Sequence, residues 1–126
     1  MTARGTWPLL TSGRRSDSLI ADNASGASIV LGPRCRLPAE LVDLRLIGCV
    51  LRAGGQVTDT AAGAAVSGHP AAAVAWLANR LGSHGQSLRA GWLVLSGGLT
   101  APVPLEPGTA ITAEFDGLGS VEVYCR

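Results

Sequence analysis

One stretch of this chain has both the composition and the boundary residues of a long helix, and this stretch restricts the fold most. Residues 71–81 are rich in alanine, which favours helix. Pro70 suits the first helical position, and Gly82 suits the residue that follows the last turn. We therefore predict one main helix over residues 71–81 that packs closely against a sheet. The residues expected to share its packing face are Val74, Leu77, Ala78 and Leu81.

Elsewhere, glycine and proline divide the chain into short runs that are typical of β-strands. Residues 42–52 have a strand-like pattern, and residues 56–60 return after a glycine turn at Gly54 and Gly55. The alternation slips in phase around Gly48, which predicts a β-bulge there. Residues 42–52 and 56–60 form the clearest predicted hairpin in the sequence.

Further runs add to the strand content. Residues 27–31 follow an apolar run at 19–21, and residues 91–98 indicate a buried strand that enters a glycine turn. Residues 109–115 and 120–124 alternate as a second hairpin. The sequence therefore predicts an α+β, mostly β, domain: a curled sheet closed by one main helix.

The length indicates one domain, since independent domains most often have about 100–150 residues and this chain has 126. Residues 1–16 show neither helical nor strand periodicity, and we expect a loose or partner-ordered arm there. Residues 17–126 form the expected domain. A hydrophobic fraction of 47% is enough to build a core.

Charge and composition exclude several classes of function. The net charge is +1, so no strong field attracts nucleic acid or an anionic membrane. All ten basic residues are arginine, which excludes a lysine Schiff base or lysine general base. Three cysteines without C-x-x-C spacing indicate neither a disulfide framework nor a zinc site. The chain lacks a signal-peptide pattern and a membrane-spanning stretch, so we expect a cytoplasmic protein.

General motifs give little. Gly117-Leu118-Gly119 lacks the strand-then-helix setting of a dinucleotide site. Ser96 is not flanked as in the nucleophile elbow of serine hydrolases. A strand that ends in Ser96-Gly97-Gly98 can nevertheless present unpaired backbone N–H groups to an oxyanion. The alternative is that these residues only form a tight turn.

A series of short blocks resembles the carboxy-terminal half of the 2-keto-4-pentenoate hydratase and 4-oxalocrotonate decarboxylase family, within the fumarylacetoacetate hydrolase superfamily. The blocks follow the family's order with similar spacing between residues 17 and 124. They are Ile20-Ala21-Asp22-Asn23-Ala24-Ser25, Val30-Leu31-Gly32, Asp43-Leu44-Arg45-Leu46, Gly68-His69-Pro70, Val74-Ala75-Trp76-Leu77-Ala78, Leu88-Arg89-Ala90-Gly91, Val94-Leu95-Ser96-Gly97-Gly98-Leu99-Thr100 and Phe115-Asp116-Gly117-Leu118-Gly119-Ser120-Val121.

The resemblance implies the mixed β-sandwich roll of that superfamily and a site for enolisable keto acids. Family members hold a divalent metal with acidic residues from a preceding E-x-E segment and from just upstream of the region matched here. No Asp or Glu precedes Asp17, so the matching positions cannot build this site. We therefore expect no metal site, no cofactor and metal-independent chemistry.

The resemblance also implies one wall of a pocket. Asp22, Asn23 and Ser96 are the catalytic candidates, with Asp22 as acid or base in an apolar pocket. The family's lysine falls near Arg15, which can bind a carboxylate but cannot shuttle a proton. The substrate-binding candidates are Arg15, Ser25, Gly97, Gly98 and Thr100.

Structural alternatives remain for two of these features. Asn23 and Ser25 are equally compatible with an Asx-type turn. His69, directly before Pro70, fits a structural role in the first helical turn better than the role of a base. We expect Asn23 and Ser25 to converge with the Ser96-Gly97-Gly98 turn at one rim of the sheet.

Two functions follow from these observations. The first is a small, metal-independent lyase or isomerase, of decarboxylase, hydratase or cyclase type, that acts on an enolisable keto-acid or dicarbonyl-like substrate. The second is a non-catalytic binding module, or a subunit that completes a hydratase-type site with a partner chain. In either case the expected partners are a small molecule and further copies of the chain, as a homodimer or higher homo-oligomer.

Overall fold

A four-stranded antiparallel sheet, one α-helix and a short 3-10 helix (Gly63–Ala65) make up the regular structure of the described residues. The computed structural model describes residues 26, 28–33 and 43–126. The strands are β1 (Gly48–Ala53), β2 (Gln56–Ala62), β3 (Ala110–Phe115) and β4 (Gly119–Tyr124), and the helix is α1 (Pro70–Gly82). The spatial order of the strands is β2-β1-β3-β4. The mostly β fold with one helix is confirmed, whereas the second layer of a sandwich roll stays a prediction.

Both predicted hairpins form. Gly54 and Gly55 join β1 to β2 with φ of 55° and 81°, the left-handed region that glycine enters without strain. The hairpin of β3 and β4 pairs Ala110 with Tyr124 and Phe115 with Gly119. Between the two hairpins, β1 pairs with β3, Cys49 lying opposite Phe115. A long connection that contains α1 therefore separates two hairpins that are neighbours in the sheet.

The bulge lies elsewhere than predicted. The register of β1 against β2 shifts between Leu51 and Arg52, which face Asp59 and Val57, so Thr58 is the additional residue. Its hydroxyl donates a hydrogen bond to the Leu51 carbonyl at 3.1 Å. The prediction of a bulge at Gly48 was wrong, because the phase slip there marks the end of a turn.

That turn precedes β1, where the sequence predicted strand from residue 42 onward. The Asp43 carboxylate accepts hydrogen bonds from the backbone N–H and the guanidinium of Arg45. The N–H of Leu46 donates to the Asp43 carbonyl at 2.9 Å. A short polar side chain that bonds to the backbone two residues ahead favours a turn over a strand, so β1 begins only at Gly48.

Two other predicted strands do not form. Residues 28–31 belong to no strand, and Ile29, Val30 and Leu31 are all exposed. Gly32 lies beside β4, where a Cβ atom would come within 3.5 Å of the Ser120 carbonyl oxygen. Residues 92–98 also belong to no strand of the described sheet. Apolar composition alone predicted these strands, but strand pairing is decided by distant segments.

The helix α1 follows its predicted boundaries closely. His69 is the residue before the helix, and its Nδ1 accepts a hydrogen bond from the N–H of Ala71 at 3.0 Å. The expected structural role of His69 is therefore confirmed. The helix continues through Gly82 instead of ending before it, and Gly85 adopts the left-handed conformation after the last turn, with φ of 70°.

The sheet has one apolar and one polar face, but it buries little. Residues of the polar face pair across strands, as Arg52 Nε does with Glu114 Oε1 at 2.8 Å. Among the described residues, only Cys49 and Val66 form a buried hydrophobic core. The helix makes few contacts with the strands, contrary to the close packing predicted. The half-buried residues of the apolar face are Leu51, Ala53, Ile111, Ala113, Phe115, Val121 and Val123.

Candidate functional site

An apolar groove of about 500 Å³ lies between α1 and the segment that the sequence predicted as a buried strand. One wall is the helix face from Pro70 to Ala78, and Val94 and Ser96 form the other. Leu44 contributes from the turn before β1. Ser96 has the one polar side chain among the described lining residues. The full lining set is Leu44, Pro70, Ala71, Val74, Ala75, Ala78, Val94 and Ser96.

The helix wall of the groove is built mainly from small side chains. Three of its lining residues are alanines, which leave room that larger residues would fill. The donors at the start of the helix are already in use: Ala71 donates to the His69 side chain, and Ala72 donates to the His69 carbonyl at 2.9 Å. Helix α1 therefore contributes apolar surface to the groove, whereas the hydrogen-bonding groups come from the Ser96 side.

The Ser96-Gly97-Gly98 turn lies near Val66 and is followed by a connection that is hydrogen-bonded to β2. A Cβ atom on Gly97 would lie 3.9 Å from Cγ1 of Val66, one of the two buried core residues. After the turn, the N–H of Ala101 donates to Oδ2 of Asp59 at 3.1 Å, which fixes this connection beside β2. Gly97 has a φ of 125°, a conformation that only glycine adopts without strain. A long-range hydrogen bond therefore positions the connection directly after the turn.

The turn offers donors that its own chain does not use. Within the described part of the chain, the backbone N–H groups of Ser96, Gly97 and Gly98 make no hydrogen bond. The two glycines are exposed and Ser96 is half-buried. Unpaired N–H groups next to a hydroxyl suit the binding of a carboxylate or enolate oxygen.

The structure describes only half of the predicted site. Ser96 lines the groove, Gly97 and Gly98 follow it directly in the chain, and half-buried Thr100 lies next to Ala101. The other predicted site residues, and the predicted arm at residues 1–16, lie outside the described residues. The expected convergence with the Ser96 turn therefore stays a prediction. The site residues concerned are Arg15, Asp22, Asn23 and Ser25.

Sequence reasoning missed two contributors to the site. Asp59 supports the turn from a position 42 residues earlier in the chain, and Leu44 closes the groove from a turn that was predicted as strand. Neither residue carries a local signal for this role, since both contacts exist only in the folded chain. Val94 belongs to one of the blocks that resemble the family, but nothing in the sequence marks it, more than its apolar neighbours, as a residue of the groove.

Comparison with known proteins identifies the family. The model of the fumarylacetoacetate (FAA) hydrolase C-terminal family matches residues 4–124. The chain belongs to this family. The resemblance found in the sequence is thereby confirmed, and the match includes both the groove and the Ser96 turn.

Several relatives of this chain are bacterial enzymes. It is 46% identical over 104 residues to 4-oxalocrotonate decarboxylase of Pseudomonas sp. (strain CF600), which covers 82% of this chain and 39% of the relative. It is 39% identical over 113 residues to 2-oxo-hept-4-ene-1,7-dioate hydratase of Escherichia coli, covering 90% of this chain and 41% of the relative. The chain thus spans about two-fifths of the length of the relatives that it matches.

Solved structures agree with this family assignment. The chain superposes on 4-oxalocrotonate decarboxylase from Pseudomonas putida G7, complexed with calcium and acetate, with a TM-score of 0.79 and 45% identity. The superposition covers 86% of this chain and 42% of the other. A second structure of that enzyme is complexed with magnesium and adipate, again with a TM-score of 0.79.

These metal-bound relatives do not support the expectation of metal-independent chemistry. The described residues of the present chain nevertheless contain no group of three or more His, Cys, Asp or Glu side chains that could hold a divalent cation. A hard cation requires several oxygen ligands around it. The part of the chain that the structure describes thus does not by itself provide the ligands for such a metal.

Among the described residues, no helix is both long and apolar enough to cross a membrane. A cytoplasmic location stays a prediction.

Proposed function

We propose that this chain contributes one wall of a lyase site that acts on an enolisable keto acid. The support comes from its relatives, which are named as a decarboxylase and as hydratases of oxo acids. The chain covers only part of each relative, so the reaction is proposed at the level of class. Decarboxylation and hydration of such substrates both pass through an enol or enolate, so a site that stabilises this oxygen serves either reaction.

The observation that carries the proposal is the position of Ser96 at an otherwise apolar groove. Its hydroxyl and the N–H groups of Gly97 and Gly98 can donate hydrogen bonds to a substrate carboxylate or to an enolate oxygen. Val74 and Val94 place apolar side chains in the groove beside Ser96, and less polar surroundings strengthen such hydrogen bonds. The hydrogen bond of Ala101 to Asp59 restrains the chain directly after the turn, which reduces the ordering that the donors need when the substrate binds.

Proton transfer is assigned to residues outside the described part of the chain. Asp22 is the proposed acid or base, since no described lining residue of the groove can accept a proton from carbon. Asn23 and Ser25 are proposed to hold the substrate opposite Ser96, and Arg15 to bind its carboxylate in bidentate fashion. Thr100 is proposed as a further substrate-binding residue. We derive no step through a metal.

A second function is favoured by one feature of the groove. Its described lining offers hydrogen-bond donors but no acid or base, as in a site that binds and does not react. The alternative is therefore a binding module, or a subunit whose site is completed by another chain. A cyclase or isomerase reaction and assembly into a homo-oligomer also remain proposals from the sequence.

The decisive experiment measures enolisation directly. The protein is incubated in D₂O with 2-keto-4-pentenoate or 4-oxalocrotonate, and NMR follows exchange of the protons next to the keto group. We expect Ser96→Ala to slow the exchange by about 10- to 100-fold, the value of one hydrogen bond to a charged group. The matched control is Ser87→Ala, since Ser87 is exposed and does not line the groove.

The outcomes separate the two functions. Exchange that depends on Ser96 but not on Ser87 supports the lyase site. Saturable binding of the keto acid without exchange supports the binding subunit. Exchange at the same rate in Ser96→Ala and in the unmodified protein contradicts the proposed role of the turn.

A further inference from the structure

The residue that caps helix α1 is a histidine, and this cap exists in only one charge state of the ring. Nδ1 of His69 accepts a hydrogen bond from the N–H of Ala71 at 3.0 Å. A ring nitrogen accepts only when it carries no proton, so the capping ring is neutral and its proton is on Nε2. Protonation of Nδ1 replaces the acceptor by a donor and removes the cap. The more usual cap residues Ser, Thr and Asn do not titrate in this way.

A carboxylate close to the ring favours the charged form. The hydrogen bonds from Arg45 are the main cause of the lowered pKa of Asp43, and the charge of His69 is a further cause. The ring and this carboxylate are therefore near each other. An imidazolium ring has two N–H donors, and a neighbouring carboxylate stabilises its charge.

The other charges around the ring oppose its protonation. The N-terminal end of a helix is positive, and the first turn of α1 contains no acidic residue. Arg45 adds a positive charge from the turn before β1, although it is paired with Asp43. The remaining charged residue of α1, Arg80, lies in the last turn, and residues 92–98 across the groove carry no charge. The neutral and the charged ring thus have different favourable partners.

The first turn of α1 borders the groove and has few other restraints. Pro70 and Ala71 line the groove together with Leu44. The helix makes few contacts with the strands. Before the helix, Ser67 and Gly68 have φ of 52° and 76°, and this conformation is uncommon for a serine. The cap therefore helps to determine where this wall of the groove lies.

We propose that His69 is a pH-dependent switch of the groove. At neutral pH its ring accepts from the Ala71 amide and holds the first turn of α1 beside Leu44. On acidification the ring takes up a proton from solvent, releases this amide and turns toward the Asp43 carboxylate. The helix wall then moves relative to Leu44, and the groove changes shape. The consequence for keto-acid binding rests on the proposed function, whereas the movement of the wall does not.

The switch can be observed without interference from its neighbours. Histidine is the side chain that ordinarily titrates between about pH 5 and 8. Asp43, whose pKa the hydrogen bonds from Arg45 lower to about 2, stays charged over this range. Arg45 stays charged as well, because its hydrogen bonds to Asp43 raise its pKa. A change at the start of α1 over this range therefore reports on His69.

Amide exchange and methyl NMR of the full chain test the switch at about pH 5 and about pH 7.5. The protection factor of the Ala71 amide is corrected for the pH dependence of intrinsic exchange. We expect it to be about 5- to 10-fold lower at the acidic pH, the effect of losing one capping hydrogen bond. The methyl signals of Leu44 and Val74 should shift with the same midpoint as the ring protons of His69.

Two matched variants assign the effect. His69→Asn keeps a cap acceptor that does not titrate, so Ala71 should be equally protected at both pH values. His84→Asn removes a histidine that follows the other end of the helix, and it should behave like the unmodified chain. Thermal melting checks that both variants fold.

Several results would overturn the proposal. They are equal protection of Ala71 at both pH values in the unmodified chain, a pH dependence that persists in His69→Asn, and loss of the pH dependence in His84→Asn. Methyl signals of Leu44 and Val74 that do not follow the His69 titration would show that the cap opens without moving the wall, which also contradicts the switch.

This experiment separates the switch from the proposed function, because it reads the conformation of the groove and not activity. A wall that moves with pH in a chain that neither binds 2-keto-4-pentenoate nor exchanges its protons supports the switch and contradicts the proposed function. Proton exchange by a chain whose Ala71 cap does not respond to pH does the reverse.

Discussion

Asp59 of the edge strand β2 accepts a hydrogen bond from the backbone N–H of Ala101, 42 residues later, at 3.1 Å. The same carboxylate accepts from the N–H of Thr60 at 2.8 Å, which fixes its orientation. This contact joins the sheet to the connection that follows the Ser96-Gly97-Gly98 turn. The position of the candidate donors thus depends on a side chain that does not itself touch the groove.

Removal of this carboxylate should loosen the turn. In Asp59→Ala we expect the Ala101 amide to exchange about 5- to 10-fold faster, which corresponds to the loss of about 1 kcal/mol of hydrogen bonding. Asp59→Asn keeps an acceptor oxygen and should retain most of the protection. Hydrogen exchange followed by NMR measures the effect, and exposed Asp116→Ala is the control. Unchanged exchange in Asp59→Ala would show that the contact is not needed.

Gly97 and Gly98 should respond differently to alanine. Gly97 has a φ of 125°, so a side chain strains the backbone by about 1–3 kcal/mol, although an added Cβ would make only an ordinary contact with Cγ1 of Val66 at 3.9 Å. Gly98 does not have a positive φ, so alanine does not strain the backbone there. A Cβ atom on Gly98 would lie 3.4 Å from the Thr100 carbonyl oxygen. Gly97→Ala should therefore weaken keto-acid binding and lower the melting temperature more than Gly98→Ala. Equal effects of the two substitutions would contradict this account of the turn.

Gly63 is required by a close backbone approach. A Cβ atom there would come within 1.8 Å of the Leu44 carbonyl oxygen. The N–H of Gly63 donates a hydrogen bond to the Ile47 carbonyl at 2.9 Å. Gly63→Ala must displace the turn that carries Leu44 into the groove, so we expect a loss of at least about 2 kcal/mol in the free energy of unfolding. Chemical denaturation measures it.

The control for that substitution is Gly82→Ala. Gly82 lies in α1 with no atom within 4 Å of an added Cβ, so alanine should stabilise the protein by about 0.5–1 kcal/mol. A similar destabilisation by both substitutions would contradict the argument from close approach.

Acid should open the turn before β1 only at very low pH. The hydrogen bonds from Arg45 lower the pKa of Asp43 from its ordinary 3.8 to about 2. Because the pKa is lower in the folded state, the stabilisation is complete above about pH 4 and is lost as the pH falls toward 2. NMR titration of the Asp43 carboxyl group should show this pKa. Arg45→Gln should raise it toward 3.8, whereas Arg52→Gln, which removes the partner of Glu114, should not.

The sequence predicted those parts of the fold whose signals are local. Pro70 and the alanines that follow it define α1, and Gly54 and Gly55 define the first hairpin, because helix caps and tight turns depend on a few adjacent residues. The turn at Asp43 was missed even though its signal is also local. Alternation of apolar and polar residues suggested a strand there, but the Asp43 side chain bonds to the backbone first.

The candidate site was predicted only in part. Ser96 and its two glycines were named from the sequence, and Ser96 lines the groove. The apolar wall that faces Ser96 belongs to α1, and the support from Asp59 comes from β2. Contacts between segments tens of residues apart leave no periodicity or spacing in the sequence, so local reasoning could not find them.

By itself, the sequence determined the family, the single main helix, the two hairpins and the identity of the Ser96 turn, because each depends on residue types in a short window. Only the tertiary structure decided the place of the bulge at Thr58, the groove between α1 and Val94, and the exposure of Trp92, Leu93 and Leu95. Apolar composition favours the burial of a segment, but the topology of the chain decides which other segment packs against it.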